Sequence, residues 1–329
     1  MSNPPLPAEG VWAEARIVPF PASISEQART ALAAAVGPDG RLLARPPLPP
    51  AEDLAAWTAV QAAFEQLMIQ RFAAIPRSST AALRDVDGVP VYVVTPDNLP
   101  SSREGYVCLD IHGGALVYGG GEACKMFGQM IAEGFQTCTY SVDYRLAPQF
   151  PYPAALDDCL AVYKHLLEVC PPEKIAVAGG SAGGNLATAL MLRVRDESLP
   201  LPALLVLMTP EVDLTESGDS FEVNRDADVT LRPLLEINKM YAGGEALTHP
   251  YVSPLFGEFT GFPPTYIQSG TRDLFLSNAA RLHQALLQAN VDAELHIFEA
   301  RPHAGFGGAP EDLQARASAA RFFAKHWPI

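Results

Sequence analysis

Apolar positions change their period along the chain. Up to about Pro76 they recur at helical spacing or not at all. Within residues 51–74, Leu54, Trp57, Phe64, Leu67, Met68 and Phe72 approximate one face of a helix. Glu52 and Asp53 sit where a first turn favours negative charge. A weaker helix is predicted over 25–36, ending before Gly37-Pro38. From Ala81 the rhythm becomes that of strands. Residues 81–86 and 89–95, joined by Asp87-Gly88, predict a hairpin. Strand and helix then alternate. Strands are predicted at 105–111, 136–142, 174–178, 203–209, 265–269 and 293–298. Helices are predicted at 124–133, 152–169, after Ser181, near 231–241, at 279–289 and at 313–326.

This alternation predicts an α/β fold with a mainly parallel sheet covered on both faces. Ligands in such sheets sit at the carboxyl ends of the strands. No solenoid repeat or linker divides the chain. The expected organisation is an N-terminal helical segment over 1–76, serving as a cap, and a catalytic domain over 77–329.

Composition narrows the partners. Of the 329 residues 48% are hydrophobic and only 18% charged, enough to bury a sizeable core. A formal net charge of −14 repels phosphate backbones and anionic headgroups, so neither nucleic acid nor a membrane surface is an expected partner. The five cysteines (Cys108, Cys124, Cys138, Cys159 and Cys170) form no C-x-x-C pair, which argues against a zinc site or a disulfide framework. No cofactor or metal is expected. The longest apolar stretch, about 201–208, is too short to span a bilayer and contains Pro202. Met1 to Pro5 lacks the start of a signal peptide, so a soluble cytoplasmic setting is expected.

The chemistry gathers around Ser181. It lies in Gly179-Gly180-Ser181-Ala182-Gly183, between an apolar strand and an apolar helix. Glycines there permit a sharp turn that presents the hydroxyl at a helix N-terminus, where the Ala182 N–H can meet a developing oxyanion. Upstream, His112-Gly113-Gly114-Ala115 ends a predicted strand, and its glycines can bring bare N–H groups to a substrate carbonyl. His112 is read as anchoring that loop. Asp273 and His303 follow two later strands, giving the chain order serine, acid, histidine. His303 would take the proton from Ser181, and Asp273 would hold the imidazole in the right tautomer. Of the other histidines, His165, His283 and His326 fall in predicted helices, His296 in a strand, and His249 before Pro250. For the acid, Glu211 and Asp213 are rivals, because they follow the preceding strand. The glycines fit neither G-x-G-x-x-G nor a P-loop, and H-E-x-x-H is absent.

With these residues in place, the chain resembles the bacterial hormone-sensitive lipase family of esterases, from about Val91 onward. The likeness rests on His112-Gly113-Gly114-Ala115, Asp143-Tyr144-Arg145-Leu146-Ala147-Pro148, Pro151-Tyr152-Pro153-Ala154-Ala155, Gly180-Ser181-Ala182-Gly183-Gly184-Asn185, Asp273 and His303. It implies the α/β-hydrolase fold, a Ser181/Asp273/His303 triad and an oxyanion hole from the N–H groups of Gly113, Gly114 and Ala182. It also implies a helical cap that adds an insertion at about 211–260 to the N-terminal segment. Family substrates are small esters with short to medium acyl chains, and homodimers are common. Two positions depart from the family pattern: Ala115 stands where a third glycine is usual, and Gly180 where an acidic residue or threonine is. Lactone or amide hydrolysis and acyl transfer would use the same acyl-enzyme. A binding protein on this scaffold is the non-enzymatic alternative; gibberellin receptors of this type lack the histidine, which is present here as His303.

Overall fold

The computed structural model describes residues 17–73 and 75–327. Helix α1 (Glu26–Ala33) starts at Ser25, whose side chain accepts the Ala28 N–H, and α2 (Leu54–Phe72) starts at Asp53, which accepts the Ala56 N–H. Asp53 is thus the cap itself and not part of the first turn. The apolar stripe expected of α2 is only half buried. Trp57 and Met68 face inward, whereas Leu54 and Leu67 are 47% and 55% exposed.

The hairpin forms as predicted, from β1 (Ser79–Val86) and β2 (Val89–Pro96). Asp87 and Gly88 both take positive φ, 52° and 84°, the backbone that a two-residue hairpin turn needs. The alternating region then lays down β3 (Val107–Ile111), α3 (Glu122–Phe135), β4 (Cys138–Val142), α4 (Ala154–Val169), β5 (Ile175–Gly180) and α5 (Ala182–Asp196). After β6 (Leu204–Met208) comes an irregular stretch holding two short helices, α6 (Ser220–Val223) and α7 (Leu235–Ala242). The chain ends with β7 (Thr265–Gly270), α8 (Leu276–Gln288), β8 (Ala293–Phe298) and α9 (Pro310–His326).

The eight strands make one sheet in the order β1-β2-β4-β3-β5-β6-β7-β8. The pairs β1–β2 and β2–β4 are antiparallel; the pairs from β4 to β8 are parallel. The inner strands β3, β5 and β6 are almost continuously apolar, as expected for strands with helices on both faces. Two core clusters lie against the sheet: one includes residues of α4, α5 and α8, the other of α9. Helix α5 is buried along most of its length directly behind β5. That contact sets the site, because α5 and β5 meet at Ser181. Among the described residues, no helix is long and apolar enough to cross a membrane.

Candidate active site

Ser181 is the single residue between β5 and α5, with φ 54° and ψ −121°. A non-glycine residue there is strained by on the order of 1–3 kcal/mol and persists only where its surroundings overdetermine it. The surroundings do so. The Ser181 N–H donates to the Met208 carbonyl at 2.9 Å, and its own carbonyl accepts the N–H groups of Gly184 at 2.9 Å and Asn185 at 3.2 Å. Close packing adds to this. A Cβ on Gly183 would stand 1.9 Å from the Ile111 carbonyl oxygen, so only glycine lets α5 approach β3 this closely. The side chain makes no capping bond to the helix, which leaves its hydroxyl free to point elsewhere.

It points at His303. Ser181 Oγ lies 2.8 Å from Nε2, and Nδ1 lies 3.0 Å from Asp273 Oδ1. An ionised carboxylate only accepts, so Nδ1 carries the proton and Nε2 accepts from the serine hydroxyl. Asp273 has no solvent exposure. Burial acts to raise its carboxyl pKa. The positive charge that His303 carries when protonated, and hydrogen bonds from His303, Ser269 and the Phe275 N–H, prevail and hold it below the ordinary carboxylate range. The edge of His303 meets the Phe275 ring, with centroids 4.7 Å apart. The structure therefore brings together Ser181, Asp273 and His303, which lie far apart in the chain.

The rivals for the acid lie elsewhere. Glu211 is fully buried and takes its hydrogen bond from Asn238 Nδ2 at 3.1 Å. Burial, opposed by that bond and reinforced by the charges of Glu216 and Asp213, pushes its carboxyl up to about 8. Asp213 accepts from Thr215 and Ser217 and pairs with Arg281 at 2.6 Å. Neither contacts His303.

Across from the serine, Gly113 packs so tightly that an added Cβ would be 2.9 Å from the Gly180 carbonyl oxygen and 3.2 Å from Ser181 Cβ. His112 holds this loop from below. Its Nδ1 bonds the Gly113 carbonyl at 2.8 Å and its ring stacks on Tyr144 at 4.1 Å between centroids. Burial outweighs that bond and pushes its pKa down to about 4, so the ring is neutral at pH 7. The two departures from the family pattern behave differently. Ala115 has φ +53°, a left-handed conformation that suits glycine and strains alanine by about 1–2 kcal/mol. Gly180 has open space: an added Cβ would meet nothing closer than 3.8 Å, so no steric need dictates glycine there.

Helix α2 lies over the same loop. Gln61 Nε2 donates to the Val117 carbonyl at 3.1 Å and the Ala147 carbonyl at 3.2 Å, while Phe64 stacks on Tyr118. Under the loop, His112, Cys124 and Asp143 bring possible ligand atoms within 4.8 Å of one another. Burial pushes the Cys124 thiol well up, towards its protonated form, and Asp143 already accepts the Gly121 N–H at 3.0 Å. Three such donors fall short of the four ligands of a closed zinc site. No motif marks the other buried carboxylate near His303, Asp228, which the irregular stretch after β6 supplies.

A serine on a strand-to-helix elbow, facing a histidine and an acid from later strands of a mainly parallel sheet, defines the α/β-hydrolase class. Residues 108–306 match the family described as alpha/beta hydrolase fold. Over 96% of the chain the structure superposes on the crystal structure of an esterase, with a TM-score of 0.86, 33% identity and 99% of that chain covered. A crystal structure of an esterase from the bacterial hormone-sensitive lipase family matches with a TM-score of 0.79, at 28% identity over 92% of this chain and 99% of that one. An acetyl-hydrolase of Streptomyces hygroscopicus is 34% identical over 193 residues, 58% of this chain. That match spans 64% of the acetyl-hydrolase's own length. Esterase LipI of Mycobacterium tuberculosis is 32% identical over 223 residues, 65% of this chain and 70% of LipI. The chain belongs to the α/β-hydrolase-fold family, in its bacterial hormone-sensitive lipase branch.

Proposed function

We propose that the protein is a serine carboxylesterase hydrolysing short- to medium-chain acyl esters through an acyl-enzyme. The observation that carries this reading is the unbroken line from Asp273 through His303 to the Ser181 hydroxyl, at 3.0 and 2.8 Å. In this reading His303 Nε2 takes the hydroxyl proton as Ser181 Oγ attacks the ester carbonyl. The tetrahedral oxyanion is met by the N–H groups of Gly113, Gly114 and Ala182; Ala182 opens α5, where the first N–H groups have no partner within the helix. His303 then returns the proton to the departing alcohol, leaving the acyl group on Ser181. Water, deprotonated by the same nitrogen, releases the acid.

The names of the relatives support an ester, and that of the Streptomyces acetyl-hydrolase supports a small acyl group. Of the N-terminal segment 1–76, the part within the described residues, together with the insertion at about 211–260, is read as the cap over the site, a role supported by the seat of α2 on the loop after Gly114; residues 1–16 lie outside the described residues. Five free cysteines support a reducing, cytoplasmic setting. The test is hydrolysis of p-nitrophenyl acetate, butyrate and decanoate. Wild type should turn over the short esters, and Ser181→Ala should lower kcat by about 10⁵–10⁶-fold. Equal inertness of both towards all three esters rejects the reading.

A further inference from the structure

A third carboxylate joins the acid and histidine loops. Asp228 is fully buried in the irregular stretch between α6 and α7. Its Oδ1 accepts the N–H groups of Thr230 at 2.8 Å and Leu231 at 3.0 Å, fixing its own loop. Its Oδ2 accepts the Leu274 N–H at 2.9 Å and the His303 N–H at 3.3 Å. Leu274 follows Asp273, so one oxygen grips the backbone beside the acid and that of the base. A carboxylate has about four acceptor sites, and here each oxygen takes two backbone donors. Neighbouring side chains grip the acid loop as well. Asn224 Nδ2 donates to the Asp273 carbonyl at 2.8 Å, and Ser220 Oγ to the Leu274 carbonyl at 2.7 Å.

Burial, reinforced by the charge of Asp273, raises the Asp228 carboxyl above its ordinary value; the charge of a protonated His303 and the N–H groups of Leu274 and Thr230 oppose that rise, so the Asp228 anion and the imidazolium favour each other. The anions facing His303 are Asp273, through Nδ1, and Asp228, through the backbone N–H. Two arginines bind backbone carbonyls of the Asp228 loop and not its carboxylate: Arg232 donates to the Asp228 carbonyl at 2.9 Å, and Arg45 donates to the Thr230 carbonyl. Arg301, two residues before His303, lies 3.4 Å from Asp312. Between buried groups, screening by water is weak and a charge acts strongly on its neighbour.

We propose that Asp228 is a positioning residue for ester hydrolysis: it aligns the Asp273 and His303 loops, and its negative charge favours the imidazolium formed as Ser181 attacks. The proposal rests on the reading of Ser181, His303 and Asp273 given above.

Asp228→Asn keeps the shape, removes the charge and sets an amide N–H against backbone N–H donors. With p-nitrophenyl butyrate, kcat should fall by about ten-fold or more while KM stays within about two-fold. The acid limb of the kcat/KM profile should move to lower pH, because a lost anion weakens the hold on the imidazole proton. Asp228→Glu keeps the charge but displaces it. It should lower kcat and leave the acid limb in place, and it carries the test if the asparagine variant does not fold. The proposal is overturned if Asp228→Asn keeps kcat within about two-fold of wild type, if it loses kcat with the acid limb unmoved, or if Asp228→Glu matches wild type. A wild type inert towards the ester and unlabelled by a phosphonate ester rejects the esterase reading itself, and this inference with it. Active wild type alongside an equally active Asp228→Asn rejects this inference alone.

Discussion

Asp273 and Glu211 follow adjacent, paired strands of the same sheet, both wholly out of solvent, yet their carboxyl groups are held in opposite states. Burial pushes both upward. At Asp273 it is overcome by the positive charge that His303 carries when protonated, by the His303 hydrogen bond and by donors from Ser269 and Phe275. At Glu211 only Asn238 opposes it, Oε2 has no hydrogen-bond partner, and the carboxyl rises to about 8. Depth alone therefore does not set the charge of a buried acid. The number of donors aimed at it and the presence of a counter-charge do.

The largest expected effect tests this contrast at Asp273. Asp273→Asn keeps the volume but lets His303 adopt the wrong tautomer, and kcat should fall by about 10³–10⁴-fold. Glu211→Gln should leave kcat within a few-fold of wild type. A loss as large as that of Asp273→Asn would erase the distinction between the two acids.

Stability should separate them next. The folded-state pKa of Glu211 is raised, so its contribution is whole below the ordinary value of 4.5 and is lost as the pH climbs through about 8. Wild type should weaken over that window by on the order of a few kcal/mol from this group. In Glu211→Gln that part of the slope disappears, which thermal unfolding from pH 5 to pH 8 would show as a variant gaining on wild type. Asp273 has the opposite sign: its lowered pKa gives stability above the ordinary value of 3.8 that is lost as the pH falls through the folded-state pKa. A parallel loss of both variants' stability across the whole range would count against the assignment of charge.

The smallest effect lies across the site. Ala115→Gly relieves a left-handed alanine but frees the unfolded chain, two effects of about 1 kcal/mol and opposite sign. The midpoint should shift by at most a few degrees, and turnover should be kept.

Most of the framework is legible in residue order. The hairpin is announced by Asp87-Gly88, and every predicted strand lies within a few residues of an observed one, because buried parallel strands read as apolar runs. Ser181, Asp273 and His303 are legible through their places after strands. The face of α2 is not. Leu54 and Leu67 fit a stripe on paper but stand in solvent, because α2 packs over the loop after Gly114 through Gln61 and Phe64, not through a full apolar seam. Asp228, Asn224 and Ser220 are also illegible. They act on backbone groups of distant loops, from a stretch with no period, and no local pattern encodes such a bond.

The backbone at Ser181 has a consequence for how the protein can change. Its φ of 54° and ψ of −121° burden every side chain with a Cβ, whatever that side chain does. Glycine alone escapes. Relief of that strain, on the order of 1–3 kcal/mol, outweighs the roughly 1 kcal/mol by which glycine frees the unfolded chain, so if Ser181 is the nucleophile proposed above, random substitution selected for heat resistance alone would drift towards an inert protein. Keeping serine there requires selection on turnover.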